Sequence, residues 1–392
     1  MDSNISSAEN DRPPTILQVL PSLGTGGVER GTLDVAQALV RADCRAMVAS
    51  AGGVMVRELE RMGATHVSLP VDTKNPWRMR QNVDTLSDLI LKHDVDIVHA
   101  RSRAPAWSAY YAAKRTGRPF VTTFHGTYGA GNPVKRFYNS VMTRGDRVIA
   151  ISRFIARHMI DTYGADPARI RVIPRGVDFV SFAPEQVSPE RMSVLARAWR
   201  IPDGVPLVLL PGRLTRWKGQ TVLIEAIAEL ARADIFCVLA GADQGRASYR
   251  RELERLIEAR GVASQVRLVG DCRDMPAAYM LADVVVSAST APEAFGRVVA
   301  EAQAMGRPVV ATDHGGARET LIPGDTGWLV RPGDPAALAH ALATALGIGA
   351  EARQRLAARA IQHAREHFSR DVMCRDTLKV YAELLQPTTA AA

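Results

Sequence analysis

No run of apolar residues in this chain approaches the roughly 18–20 that a membrane-spanning helix requires. Cysteine is scarce. Cys44, Cys237, Cys272 and Cys374 are scattered, with no C-x-x-C spacing. That pattern argues against a disulfide framework or a zinc site and predicts reduced thiols in a cytoplasm. The opening stretch, MDSNISSAENDRPP, lacks the basic-then-apolar order of an export signal. It is predicted as a disordered tail over 1–14, and residues 386–392 as a second tail. There is no low-complexity tract and no short-period repeat. The phosphate-binding pattern G-x-x-x-x-G-K-[ST] is absent, and no nucleic-acid-binding motif is visible, so no nucleic-acid partner is predicted.

What is present is a chain of 392 residues, 47% hydrophobic and 23% charged, long enough for two domains with separate cores. The net charge of +8 is unevenly placed. Residues 1–176 hold 24 basic and 16 acidic side chains, whereas residues 177–392 hold 25 of each. A basic half suits an acidic substrate or an anionic membrane surface, although a solvated surface explains such an excess equally well.

Short apolar runs alternate with helical spacing throughout. TILQVLP (15–21), RAMVASAG, HVSLPV, DIVHAR, FVTTFHG, RVIAIS and RIRVIPRGVD read as strands. The rhythm breaks over 178–204, which holds Pro184, Pro189 and Pro202 and is predicted as a linker. It restarts at VPLVLLPG (205–212), then IFCVLAG, QVRLVG, VVVSAS and PVVATD. Continuous apolar strands separated by helices imply a parallel sheet covered on both faces, the α/β class. Two such units follow, over 15–177 and 205–367, with a helix over 368–385.

The first strand runs into LGTGGVERG (23–31). Glycines between a strand and a helix let a phosphate or sugar approach the backbone. A dinucleotide fingerprint fails here, because Glu29 stands where G-x-G-x-x-G needs its third glycine. In the second half, LLPGRLTRWKGQ (209–220) repeats the strand–turn–helix plan with Arg213 and Lys218 added, a pattern suited to clamping a diphosphate. Further on stands PEAFGRVVAEAQAMGRPVVATDHGGARE (292–319), with Glu293 and Glu301 eight residues apart. On one helix that spacing is about 12 Å, too far for the paired carboxylates of a glycosidase, roughly 5–9.5 Å apart. Two carboxylates so spaced suit the hydroxyl-rich ends of one long ligand such as a nucleotide-sugar.

The 292–319 stretch resembles the signature of glycosyltransferase family 4, the retaining enzymes of GT-B fold. The likeness continues through GDTGWLVRPGDPAALAHAL, PGRLTRWKG, LGTGGVER and TTFHGTYG, and covers about residues 15–385. It implies two Rossmann-like domains facing across a deep cleft, with a nucleotide-diphosphate sugar (a UDP- or GDP-sugar) as donor and no cofactor or metal. By that resemblance Arg213 and Lys218 hold the diphosphate, and Glu301 the ribose. Glu293, with the backbone around Ala294, Phe295, Gly296, Arg297 and Val298, contacts the transferred sugar. His125 bonds a sugar hydroxyl, Gly26 and Gly27 close the site from the other domain, and Asp271 and Arg273 lie near the base. Departures are Ala294, where many relatives have Gly, and Arg175, where many have Asn; Arg175 brings a cation toward an acidic donor or acceptor. Asp94-Val95-Asp96 precedes a strand instead of ending one, so it reads as a loop and not a metal motif.

The expected function is transfer of a sugar to an acceptor hydroxyl in lipopolysaccharide or other cell-envelope glycan synthesis. The expected acceptor is a glycan or lipid-linked molecule, and the expected place the cytoplasm, peripheral at the inner face of the membrane. NPVKRFYNSVMTRGDR (132–147), basic with interleaved aromatics, fits either a membrane surface or a packed helix. Two alternatives stand beside this reading: a sugar-phosphate-synthase-like transferase with a soluble acceptor, and a non-catalytic nucleotide-sugar binder.

Overall fold

The fully buried run Thr15–Val19 forms β1, an interior strand of a seven-stranded sheet. Its partners are β2 (Arg45–Ser50), β3 (Thr65–Ser68), β4 (Ile97–Ala100), β5 (Phe120–Phe124), β6 (Arg147–Ala150) and β7 (Ile170–Val172). They lie in the order β3-β2-β1-β4-β5-β6-β7, every pair parallel. A second sheet contains β8 (Leu207–Pro211), β9 (Phe236–Ala240), β10 (Val266–Gly270), β11 (Val284–Ser287), β12 (Val309–Thr312) and β13 (Trp328–Val330). Its order, β10-β9-β8-β11-β12-β13, repeats the plan of the first, again with all pairs parallel. The α/β class predicted from apolar runs is the observed one, with two Rossmann-like halves.

This computed structural model describes residues 12–129 and 131–386. Of the predicted tails, residues 1–11 and 387–392 lie outside the described residues. Of the described residues, those from 12 to 176 and from 370 to 386 form one compact unit, and Val177–Ser369 the other. In the first, the helix Gly27–Arg41 packs on the last helix, Arg370–Leu385. Met373, Cys374, Leu378 and Tyr381 enter one core with Leu33, Leu39 and Cys44. All four cysteines are free thiols. The Asp94-Val95-Asp96 segment has a structural role: Asp96 accepts from the Thr15 backbone N–H at 2.7 Å and pairs with Arg12 at 2.8 Å, closing the start of β1.

The linker expected over 178–204 is corrected by the structure. These residues carry the helix Pro189–Trp199, whose N-cap Ser188 accepts from the Arg191 N–H. Val187 and Trp199 join Leu207, Phe236 and Val238 in the second unit's core. The prolines misled because Pro189 occupies the first helical turn, where a missing N–H costs nothing. Among the described residues no helix is long and apolar enough to cross a membrane.

The last helix is tied down by a buried polar chain. His99 Nδ1 meets the Tyr381 hydroxyl at 2.6 Å, and His99 Nε2 meets Thr123 Oγ1 at 2.7 Å. Burial, then the nearby Arg101, holds the His99 imidazole well below its usual pKa. Tyr381→Phe leaves one ring nitrogen buried and unpaired, so urea unfolding is expected to show a loss of about 1–3 kcal/mol. An unchanged midpoint would mean that the contact contributes nothing.

Candidate functional site

In a sheet of this order the chain reverses direction between the first and fourth strands. The loops part there and leave a crevice at the carboxyl ends. In the second unit those strands are β8 and β11. The loop after β8 carries Arg213 and Lys218, and the loop after β11 carries Ser289 and Glu293, so topology alone brings them to one place.

Local structure holds them there. Gly219 has φ +71°, and a Cβ on it would stand 1.8 Å from the Ala288 carbonyl oxygen. Only glycine lets the Lys218 turn lie against the end of β11, where the Thr290 N–H donates to the Trp217 carbonyl at 2.7 Å. The Gly-Gly pair has the same purpose on the other side. A Cβ on Gly315 would lie 2.5 Å from the Glu293 carbonyl oxygen, and one on Gly316 2.5 Å from Phe295 Cα. The Gly316 N–H donates to the Glu293 carbonyl at 2.8 Å.

Lys218 Nζ donates to Glu293 Oε1 at 2.8 Å, and both side chains are only 13% exposed. The same oxygen receives the Ser289 hydroxyl at 2.5 Å and the Ser287 hydroxyl at 3.4 Å. Burial alone would push the Glu293 carboxyl up, but the Lys218 charge and these donors outweigh it and hold the group below its ordinary value. Lys218 also lies 4.6 Å from the centre of the Trp217 ring. Arg213 is exposed and pairs with no carboxylate among the described residues, whereas neighbouring Arg216 is spent on Glu252. The arrangement is a charge-neutral, largely buried pair, with an exposed cation, unpaired among the described residues, on the same loop as Lys218.

Glu293 and Glu301 do not share a helix, so the one-helix spacing does not apply to them. Gly296, at φ +86°, starts the helix Arg297–Ala304, so Glu293 belongs to the loop before it. Glu301 is 7% exposed. Its Oε1 accepts from Arg297 Nε at 2.5 Å and its Oε2 from the Tyr279 hydroxyl at 2.9 Å. Phe295 is buried against Phe368, which fixes the loop through Ala294, Gly296 and Val298. Asp271 and Arg273 are exposed after β10, the edge strand. They lie two strands from β8, about 10 Å across the sheet, and do not touch the Lys218–Glu293 pair.

In the first unit the strand ends carry a second cluster. His125 follows β5, Arg101 follows β4, and Arg175 follows β7. His125, Arg101 and Arg175 line one small pocket with Thr123 and Thr377. Arg175 donates to the Gly27 carbonyl at 2.8 Å, which joins the glycine loop to this cluster. Neither His125 ring nitrogen completes a hydrogen bond of good geometry among the described residues, although the Arg101 main chain lies near enough to favour the protonated ring slightly. Burial, then the charges of Arg175 and Arg101, keeps the imidazole neutral, well below its usual pKa. Arg101 is 3% exposed and forms no ion pair among the described residues. Burial draws its guanidinium below the ordinary arginine value. At the glycine loop, the space above Gly26 is filled by Glu29, whose Oε2 would be 2.1 Å from a Cβ there.

Comparison with known proteins places these loops in a family. The model described as "Glycosyltransferase Family 4" matches residues 25–180, and "Glycosyl transferases group 1" matches residues 194–363. A glycosyltransferase of Rickettsia africae is 37% identical, with a TM-score of 0.89 over 96% of this chain and 100% of that one. The chain belongs to glycosyltransferase family 4. Its fold is accordingly GT-B.

The transferase is also 35% identical to a D-inositol 3-phosphate glycosyltransferase of Salinispora tropica. That match covers 74% of this chain and 64% of the relative, just under two thirds of its length. Anabaena Alr3699/HepE, solved in complex with UDP-glucose, is 26% identical with a TM-score of 0.81, over 94% of this chain and all of that one. Sequence reasoning missed Ser289, Tyr279 and Arg101. Serine and tyrosine carry no signal of their own, but a charge directly after the apolar run IVHA was the clue to Arg101.

Two outcomes follow from the transferase's buried charges. Lys218→Met leaves the Glu293 carboxylate buried without its cation and is expected to cost about 3–5 kcal/mol. Adding Glu293→Gln should restore most of that loss, as read by urea unfolding. Equal losses in the single and double variants would refute the coupling. His99 and His125 are neutral in the fold, with pKa values depressed below the usual ~6.5. Below that pH the unfolded chain binds protons that the native state refuses. Stability is therefore fully present above about pH 6.5 and falls as the pH drops further, by up to about 2.7 kcal/mol per pH unit for the two. Urea midpoints between pH 7.5 and 5 test the sign, and His125→Asn should flatten the slope.

Proposed function

We propose that this transferase moves a sugar, with retention at the anomeric carbon, from a nucleoside-diphosphate sugar to a hydroxyl of an anionic acceptor in cell-envelope glycan synthesis. The observation that carries the reading is the buried Lys218–Glu293 pair at the β8/β11 switch point, with the uncommitted Arg213 beside it. A donor diphosphate brings two negative charges to those cations. As the bond from sugar to phosphate breaks, charge grows on the leaving diphosphate, and Arg213 and Lys218 stabilise it. Glu293, relieved of Lys218, accepts hydrogen bonds from the sugar hydroxyls. The main-chain groups from Ala294 to Val298 serve the same sugar. Glu301 keeps unused lone pairs beyond those given to Arg297 and Tyr279, and these receive the ribose diol.

On the acceptor side, neutral His125 is suited to bonding a sugar hydroxyl. Arg101 and Arg175 supply positive charge for an anionic acceptor, in keeping with the excess of basic residues in the first half. The Salinispora relative is named for an acceptor that carries a phosphate, which supports an anionic group. That name favours a soluble phosphorylated acceptor as the second reading, in place of a lipopolysaccharide or lipid-linked one. UDP is favoured over GDP as the donor's nucleotide because HepE was solved with UDP-glucose.

The test is a thermal-shift screen of UDP, GDP, ADP and their sugar conjugates. A ligand at about 100 times its Kd adds roughly 2.7 kcal/mol to the folded state. One nucleotide should raise the Tm, and Glu301→Ala and Arg213→Ala should each reduce that shift. Absence of a shift with every nucleotide would overturn the reading.

A further inference from the structure

The first unit has another opening, separate from the small pocket at His125. A cavity of about 730 Å³ lies between the helices Pro76–Lys92, Arg103–Thr116 and Pro133–Ser140. That volume is within the range of sites that hold small organic ligands. Its walls are mainly apolar, with Met79 and Val83 on one side and Trp107 on another. Phe137 stacks on Trp107 with ring centres 5.0 Å apart, and Tyr111 does so at 5.8 Å. Both outer rings remain open to solvent, Phe137 at 60% and Tyr111 at 50%. Trp77 and Val134, on two of the same helices, are 79% and 77% exposed. Exposed aromatics grouped around one apolar cavity mark a binding surface.

The polar boundary is of one sign. Lys74, Arg80, Lys114 and Arg115 line the opening, and no acidic side chain does. Of these, Arg115 is paired with Asp84. A neutral sugar would leave the cationic rim unused, and a bare phosphate would leave the aromatic floor empty. An apolar interior with a cationic rim complements an amphiphile whose chain is hydrocarbon and whose head is anionic. The Tyr138 hydroxyl, on a lining residue, is buried without a hydrogen-bond partner among the described residues.

One wall also leads to the acceptor side of the unit. Trp107 Nε1 donates to the Tyr138 carbonyl at 2.9 Å. The next residue, Asn139, is buried; it accepts from Arg103 at 3.2 Å and donates to the Gly129 carbonyl at 3.1 Å. Arg103 covers the Tyr128 ring at 4.1 Å, and the Tyr128 hydroxyl accepts from the His125 N–H at 3.3 Å. The groove and the His125 loop therefore share one packed wall.

We propose that this groove holds the hydrocarbon chain of an anionic, lipid-linked acceptor. The inference rests on the acceptor reading given above and specifies its substrate class. The chain lies against Trp107, Tyr111 and Phe137, and the anionic head meets Lys74 and Lys114 at the rim.

Calorimetric titration of the full chain with n-octyl, n-decyl and n-dodecyl phosphate, each below its micelle concentration, tests this. Each buried CH₂ contributes about 0.8 kcal/mol, so every two added carbons should tighten binding roughly tenfold. Tyr111→Glu and Phe137→Glu, at exposed positions where the fold tolerates change, should each weaken dodecyl phosphate at least tenfold. Lys114→Glu should narrow the preference for dodecyl phosphate over neutral dodecyl maltoside. Affinity independent of chain length would overturn the proposal, as would unchanged affinity in both aromatic variants. Binding to anionic phospholipid vesicles with none to the monomeric phosphates would also overturn it, since that describes a surface and not a groove. The UDP thermal shift is recorded on the same samples. A nucleotide shift without chain binding overturns the groove alone, and chain binding without any nucleotide shift overturns the donor reading alone.

Discussion

A lysine and a glutamate, each largely removed from water, face one another at 2.8 Å where the second sheet reverses direction. Neither charge could be buried there alone, because desolvation of a single ion costs several kcal/mol. Each therefore requires the other, and the pair requires the loops that carry it. Gly219 admits the lysine turn against β11, and Gly315 and Gly316 admit the glutamate loop from the opposite side. Ser287 and Ser289 complete the coordination of the carboxylate oxygen. Three of the sixteen glycines after residue 177 thus serve one electrostatic contact.

The pair also explains why the site can be stable before a donor arrives. A cation reserved for a phosphate must have some partner in its absence, or its burial would destabilise the fold. Glu293 is that partner, and in the donor reading proposed above a diphosphate takes its place and frees the carboxylate for a sugar. Glu301 repeats the arrangement with Arg297, an exposed side chain able to move aside. Arg213 needs no such partner because it stands in solvent.

The first unit handles charge differently. Arg101 is buried with no ion pair among the described residues, and the two ring nitrogens of half-buried His125 find no partner of good geometry there. Such unsatisfied groups reduce stability and are tolerated in few places, most often where a ligand completes them. The core beneath them is correspondingly well tied, with the last helix anchored through Tyr381, His99 and Thr123.

Strands, helices and their alternation could be read from the sequence because they depend on local periodicity, which a linear pattern records. TILQV, FCVLA and VVVS are apolar at every position or nearly so, and all lie buried between helices. The glycine turns, the cations of the 209–220 stretch and the two glutamates were legible for the same reason, each having a fixed place relative to a strand end. The prolines of 178–204 were not, since a proline reads alike in a linker and in the first turn of a helix. The partners of these charges, Ser289 for Glu293 and Tyr279 for Glu301, come from segments distant in sequence or from residue types without a signature. They were decided only when the strand order brought particular loops together, because a side chain's hydrogen bonds and burial belong to its surroundings in space and not to its neighbours in the chain.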